Sequence, residues 1–165
     1  MDDNTNDVQR RRRADPTIDA TDRRILSLMS EDARLSFAEL GQEVNLSAPA
    51  VHERVKKLRA MGAIKKTAAV LDGAAIGRPL LAFVSVTMAG RSRRAEYREF
   101  QKDPDIEEVH SVAGEACLLL KVRCANAEAL EALLTRIYGV GEVTATNSTI
   151  VLSTIFERGP QPTCE

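Results

Sequence analysis

Apolar positions along the chain follow two rhythms, one on each side of residue 79. Up to Met61 they recur at intervals of three and four, the repeat of helices with one buried face. From Leu80 onward they fall into β-branched runs separated by turn residues, interrupted by further helical repeats. The first half predicts three helices. Asp19 is placed to cap one from Ala20 to about Ser30, with Ile25, Leu28 and Met29 turned inward. Ser36 and Glu39 have the spacing of a capping box and start a helix that runs to about Val44. Asn45 stands where a helix end needs a left-handed residue, a conformation Asn tolerates. Leu46 fills the turn. Ser47 caps a third helix whose first turn holds Pro49, where the missing N–H would be unpaired anyway. Gly41 gives up about 1 kcal/mol of helix propensity relative to Ala, a loss expected where the third helix crosses closely. Gly62 ends that helix, and residues 63–71 read as an extended exit.

On the third helix Val51, Val55 and Leu58 form one apolar stripe. Pro49, Ala50, Glu53, Lys56 and Lys57 point the other way, with His52, Arg54 and Arg59 on the flanks. A short helix, a tight turn and a basic helix make a helix-turn-helix, whose second helix enters the major groove of double-stranded DNA. The chain as a whole carries a net charge of -1, so bulk charge hides this face. From Ser47 to Lys66 six cations stand against the single anion Glu53. Such a local positive face suits phosphate contact, because each neutralised phosphate releases a counterion. The candidate DNA contacts are Ser47, Pro49, Ala50, His52, Glu53, Arg54, Lys56 and Lys57.

The second half predicts a β-α-β-β-α-β order. Leu80–Met88 is apolar on both alternating faces, as in a strand covered on two sides. A short helix over Ala95–Gln101, anchored by Tyr97 and Phe100, leads to a strand at Ile106–Ser111. Ala113-Gly114-Glu115 makes a turn into a third strand, Cys117–Cys124. Asn126 caps a helix buried through Leu130, Leu133, Leu134 and Ile137, which Gly139 and Gly141 break. A long strand from Val143 to Phe156 closes the pattern. The fold class is α+β: an N-terminal helix-turn-helix domain and a C-terminal ferredoxin-like βαββαβ domain with both helices on one sheet face. The other face keeps apolar positions that a partner subunit would cover.

These elements divide the 165 residues into an arm (1–16), a helix-turn-helix domain (17–66), a hinge (67–79), the ferredoxin-like domain (80–157) and a tail (158–165). The arm is polar, ends in Arg10–Arg13, and has too few apolar groups to pack. Its arginines are read either as DNA backbone or minor-groove contacts or as a solvated tail. No apolar run approaches the ~20 residues of a membrane helix, and the first residues lack a signal-peptide core, which places the chain in the cytoplasm with the nucleoid. Cys117 and Cys124 lie seven apart in one predicted strand and so face opposite sides, and Cys164 is in the tail. Three cysteines so spaced make neither a disulfide framework nor a metal site. Two histidines, His52 and His110, and no nucleophile or phosphate-loop motif give no catalytic site and no cofactor.

Over Ile18–Glu157 the sequence resembles the Lrp/AsnC (feast/famine) transcriptional regulators. The carriers are IDATDRRILSLMSEDARLSFAELGQEVNLSAPAVHERVKKLRAMGAIKKTAAVLDGAAIG, LLAFVSVTM, the VHSVAGE turn and TNSTIVLSTIFE. The resemblance implies a winged-helix or helix-turn-helix reader joined by a hinge to an amino-acid-sensing domain. It also implies homodimers, often assembled into octamers, with the amino-acid effector held between dimers near the turn of the second and third strands. The effector residues would be Val112, Ala113, Gly114, Glu115 and Cys117. Family members that bind amino acids often carry Gly-Asp-Tyr-Asp at this turn, where this chain has Gly114-Glu115-Ala116-Cys117. Two readings stay open: Cys117 is an apolar strand residue, or the pocket takes a different effector held by Glu115 and the backbone of Val112 to Gly114. Two other classes share these features. One is an effector-independent nucleoid-organising protein; the other is a sirohaem-decarboxylase-like enzyme using His110 and nearby arginines, against which the basic third helix argues.

Overall fold

Three helices fill the first part of the chain: α1 (Ala20–Glu31), α2 (Phe37–Val44) and α3 (Ala48–Ala60). The computed structural model describes residues 18–89 and 98–162. Local chemistry sets each helix end. Asp19 caps α1 by accepting from the Asp22 N–H at 2.7 Å, and the Asp22 carboxylate faces back to the Asp19 N–H at 3.4 Å. Ser36 and Glu39 make the same reciprocal pair at α2, with distances of 3.2 and 2.7 Å. Asn45 turns the chain with φ 55°, and Ser47 Oγ accepts from the Ala50 N–H at the start of α3.

Ile25, Leu40, Val51, Val55 and Leu58 bury themselves completely where the three helices meet. Each such side chain contributes roughly 1.5–3 kcal/mol on burial. Gly41 is required for a different reason from helix crossing. A Cβ there would stand 2.4 Å from the carbonyl oxygen of Leu46, in the turn itself. The Leu46 N–H closes the same turn on the Gly41 carbonyl at 2.9 Å. After α3 no strand forms among the described residues before Leu80, so this chain alone supplies no paired wing.

The chain divides into two compact units, one of residues 18–68 with 158–162 and the other of residues 69–157. The second holds β1 (Leu80–Met88), β2 (Ile106–Ser111), β3 (Leu118–Cys124), α4 (Ala127–Tyr138) and β4 (Val143–Ile150). All pairings are antiparallel and the sheet order is β2-β3-β1-β4, the ferredoxin-like arrangement. Val84 and Val86 of β1, Leu118 and Leu120 of β3, and Leu133 and Ile137 of α4 make the core. Phe100 joins it from helical residues 98–100, while Tyr97 and the start of that predicted helix lie outside the described residues. So do Arg10–Arg13 and Cys164.

Two further expectations change. The last strand stops at Ile150 rather than Phe156, because its partner β1 begins at Leu80 and pairs Ala82 with Ile150. One further bond, Val151 N–H to the Leu81 carbonyl at 2.9 Å, ends the ladder. Residues beyond it run to Glu157, whose carboxylate meets Lys121 Nζ at 2.8 Å on the sheet face away from the core. Cys117 precedes β3 instead of belonging to it, so strand alternation does not govern it. It packs half-buried against the same core that holds Cys124.

The segment before β1 also has fixed structure. Asp72–Gly77 forms a turn closed by Arg78 N–H to the Gly73 carbonyl at 2.7 Å. Gly73 is pressed against the Arg123 guanidinium, where a Cβ would fall 2.5 Å from a nitrogen. Arg78 ion-pairs with Asp105 at 2.9 Å and donates to the Pro104 carbonyl at 2.8 Å.

Candidate nucleic-acid interface

The buried stripe of α3 determines what remains for a partner. With Val51, Val55 and Leu58 inward, Ser47, Pro49, His52, Glu53, Lys56 and Lys57 are exposed and Ala50 is half-buried. Ser47 caps the N-terminal end of α3 and Pro49 fits its first turn, and that end carries the positive pole of the helix dipole. Glu53 sits between His52 Nδ1 at 3.5 Å and Lys56 Nζ at 3.7 Å, both loose surface pairs worth little in water. The His52 ring stands edge-on to Phe37, with centroids 5.2 Å apart, which orients the imidazole beside α2. Lys57 and Arg59 have no ion-pair partner among the described residues, so their charges are available to an external anion.

Arg54 is placed differently from the other candidates. Its Nη1 lies 2.7 Å from Asp19 Oδ2 and 2.7 Å from Asp22 Oδ1, turned back toward the start of α1. Asp22 is only 2 % exposed. The Arg54 guanidinium hydrogen-bonds Asp19 and holds its carboxyl below the ordinary range, and Asp19 in turn raises Arg54. By its flank position in the sequence Arg54 falls among the DNA contacts, and nothing in the apolar pattern of α1 singles out Asp22 as its partner. The available signal was an acid at the N-cap followed by an acid three residues on.

The turn between β2 and β3 is the second candidate region. Ala113, Gly114 and Glu115 are exposed and Val112 is 37 % exposed. Gly114 has φ 146°, a conformation that side chains disfavour, so glycine is required there. The turn is anchored by Val112 N–H to the Cys117 carbonyl at 3.1 Å and by Cys117 N–H to the Val86 carbonyl at 2.9 Å. The predicted effector residues are therefore together, with Glu115 outward and Cys117 against the core. A cavity of about 530 Å³ lies elsewhere, between Phe100, Ile106, Ile137 and Val140. No helix among the described residues is long and apolar enough to cross a membrane.

A basic helix-turn-helix unit followed by a split-βαβ sheet unit defines a DNA-binding regulator with a separate sensing or assembly module. Residues 18–59 match the AsnC-type helix-turn-helix domain, and residues 81–161 match the Lrp/AsnC ligand binding domain. The chain belongs to the Lrp/AsnC family of transcriptional regulators. It is 37% identical over 144 residues to HTH-type transcriptional regulator Rv2324 of Mycobacterium tuberculosis, covering 87% of this chain and 97% of that protein. Its fold is similar to that of the feast or famine regulatory protein Rv3291c of M. tuberculosis, solved with L-methionine. There the TM-score is 0.83 at 33% identity, over 88% of this chain and 99% of the other. Transcriptional regulator NMB0573 of Neisseria meningitidis, also in complex with L-methionine, gives a TM-score of 0.77 at 26% identity, covering 86% and 94%.

Proposed function

We propose that the chain works in the cytoplasm, on the nucleoid, as a sequence-specific regulator that lays α3 in the major groove of double-stranded DNA. The observation that carries this reading is the polarity of α3, with Val51, Val55 and Leu58 buried and Lys56 and Lys57 exposed opposite them. Lys56 and Lys57 contact phosphates, and Ser47 at the helix start adds a further backbone contact. Pro49, Ala50, His52 and Glu53 face base edges. Two copies pack through the sheet face that carries Leu81, Phe83 and Lys121. That face and the segment after β4 hold Leu152, Ile155 and Phe156, which are 96, 88 and 76 % exposed, an apolar surface that favours a second copy. A two-fold dimer presents two copies of α3 about 34 Å apart to a pseudo-palindrome. Four such dimers would build an octamer. An amino-acid effector bound at Val112–Cys117 between dimers shifts assembly or DNA affinity, a reading supported by the two relatives solved with L-methionine.

Selection of bound duplexes from a random library, followed by titration at several salt concentrations, tests the core of this proposal. A shared half-site motif is expected, with Lys56→Ala and Lys57→Ala each lowering the salt slope by about 0.9. Equal affinity for all sequences would assign the chain to nucleoid organisation instead. Light scattering at micromolar concentration tests the dimer, and a monomer there would refute it.

A further inference from the structure

We infer that Arg54 is a positioning residue of the DNA reader: from the flank of the recognition helix it ties that helix to the start of α1 and does not touch DNA. The inference rests on the DNA-binding reading of α3. Asp22 is the one charged residue that is buried among the described residues, and Arg54 Nη1 is its cation at 2.7 Å. A carboxylate so deeply placed needs its partner, because a charge left unpaired away from water is strongly destabilising. Turning Nη1 to a DNA phosphate would strand Asp22, so that nitrogen is committed to the bridge. The two carboxylates also occupy the N-cap and third position of α1, where the helix dipole already favours anions. Arg54 is thus held by two carboxylates at 2.7 Å, one of them buried, whereas Lys56 has only an exposed pair with Glu53 and Lys57 has no ion pair among the described residues.

The geometry explains why this matters for recognition. One nitrogen meets two oxygens from residues one turn apart, at 2.7 Å each. Sliding α3 along α1, or rotating it, by about 1 Å would stretch one bond past hydrogen-bond length. Arg54 lies on the flank of α3, one turn from Ala50 and Lys57, so the face that reads bases inherits the orientation of this anchor. Phosphate attraction tolerates a small misplacement, but hydrogen bonds to base edges do not. Loss of the anchor should therefore cost discrimination between sequences more than overall affinity.

The test uses the full chain, a duplex selected by the wild type from a random library, and a scrambled duplex of equal length. Asp22→Asn/Arg54→Met removes the anchor without stranding a charge, and Asp22→Asn alone keeps the arginine. Lys57→Ala is the phosphate-contact control, and thermal melts confirm that each variant is folded at the assay temperature. The double variant is expected to keep the wild-type salt slope while its preference for the selected duplex falls tenfold or more. Asp22→Asn is expected to reduce the preference in the same direction, although residue 22 cannot reach DNA. A slope lower by about 0.9 in the double variant makes Arg54 a phosphate contact and overturns the inference. An unchanged preference in both Asp22 variants overturns it too, leaving the bridge a purely stabilising one. An unchanged slope in Lys57→Ala would instead count against the DNA face itself.

Discussion

Replacing Arg54 by methionine isolates the energetic weight of a single buried contact. The change keeps the length and apolar stem of the side chain and deletes its charge, leaving Asp22 at 2 % exposure without a cation. Breaking a buried ion pair from one side costs about 3–5 kcal/mol. Two features set the figure at the lower end. Arg54 is 33 % exposed, so water reaches the gap, and Asp19 at 53 % exposure loses only a surface pair. A destabilisation of about 3 kcal/mol is expected. A unit of some fifty residues holds only about 2.5–7.5 kcal/mol in all, so much of its stability disappears. Urea unfolding followed by far-ultraviolet circular dichroism reads this directly, since α1 to α3 lie in that unit. An early helical transition should separate from a later one due to the sheet unit, and Asp22→Asn/Arg54→Met should recover most of the loss. A single transition with an unmoved midpoint would refute the assignment. So would a double variant as unstable as Arg54→Met.

Gly41→Ala should destabilise the three-helix unit by about 1–3 kcal/mol despite the better helix propensity of alanine, because the new methyl meets the Leu46 carbonyl; thermal melting checks it. Acid should unfold the protein below about pH 4.5, as shown by circular dichroism against pH. Asp19, Glu108 and Glu157 are held below their ordinary values of 3.8, 4.5 and 4.5 by hydrogen bonds to Arg54, His110 and Lys121 respectively. Lowered carboxyl groups stabilise the fold above those values and lose that contribution as pH falls through their folded-state values, so stability stays level above the window and drops within it. Cys117→Asp should strengthen amino-acid binding in calorimetry by offering a carboxylate to the ammonium group, unless burial neutralises it. Absence of heat with wild type and variant alike would favour an effector-independent regulator.

The features legible in the sequence are those settled within a few residues. Ser36 with Glu39, Asn45, Ser47 and Asn126 each mark a helix boundary because cap and backbone partner lie at most three positions apart, apart from the left-handed turn at Asn45. The features that were hidden depend on distant residues. Asp22 reads as an exposed acid of an amphipathic helix until Arg54, 32 positions away, is packed over it. The run from Val143 to Phe156 carries β-branched residues to its end, and only the start of β1 determines where its pairing ends. Cys117 belongs by pattern to β3, yet the turn bonded to Val86 takes it out of the alternation. Gly41 reads as a close-approach site, but its neighbour is the turn carbonyl rather than a crossing helix.

The anchored turn at Asp72–Gly77 shortens the free tether between reader and sheet. Ile64 packs against the three-helix core, and the turn is clamped by Arg78 and Arg123, which leaves residues 65–71 as the unclamped stretch. Seven residues span at most about 25 Å when fully extended. In the proposed dimer this contour is a ruler laid on the operator. It limits how far each reader can follow its half-site and confines tolerated spacings to a narrow band. In that dimer, lengthening the stretch would widen the range of half-site spacings without altering the bases that α3 faces.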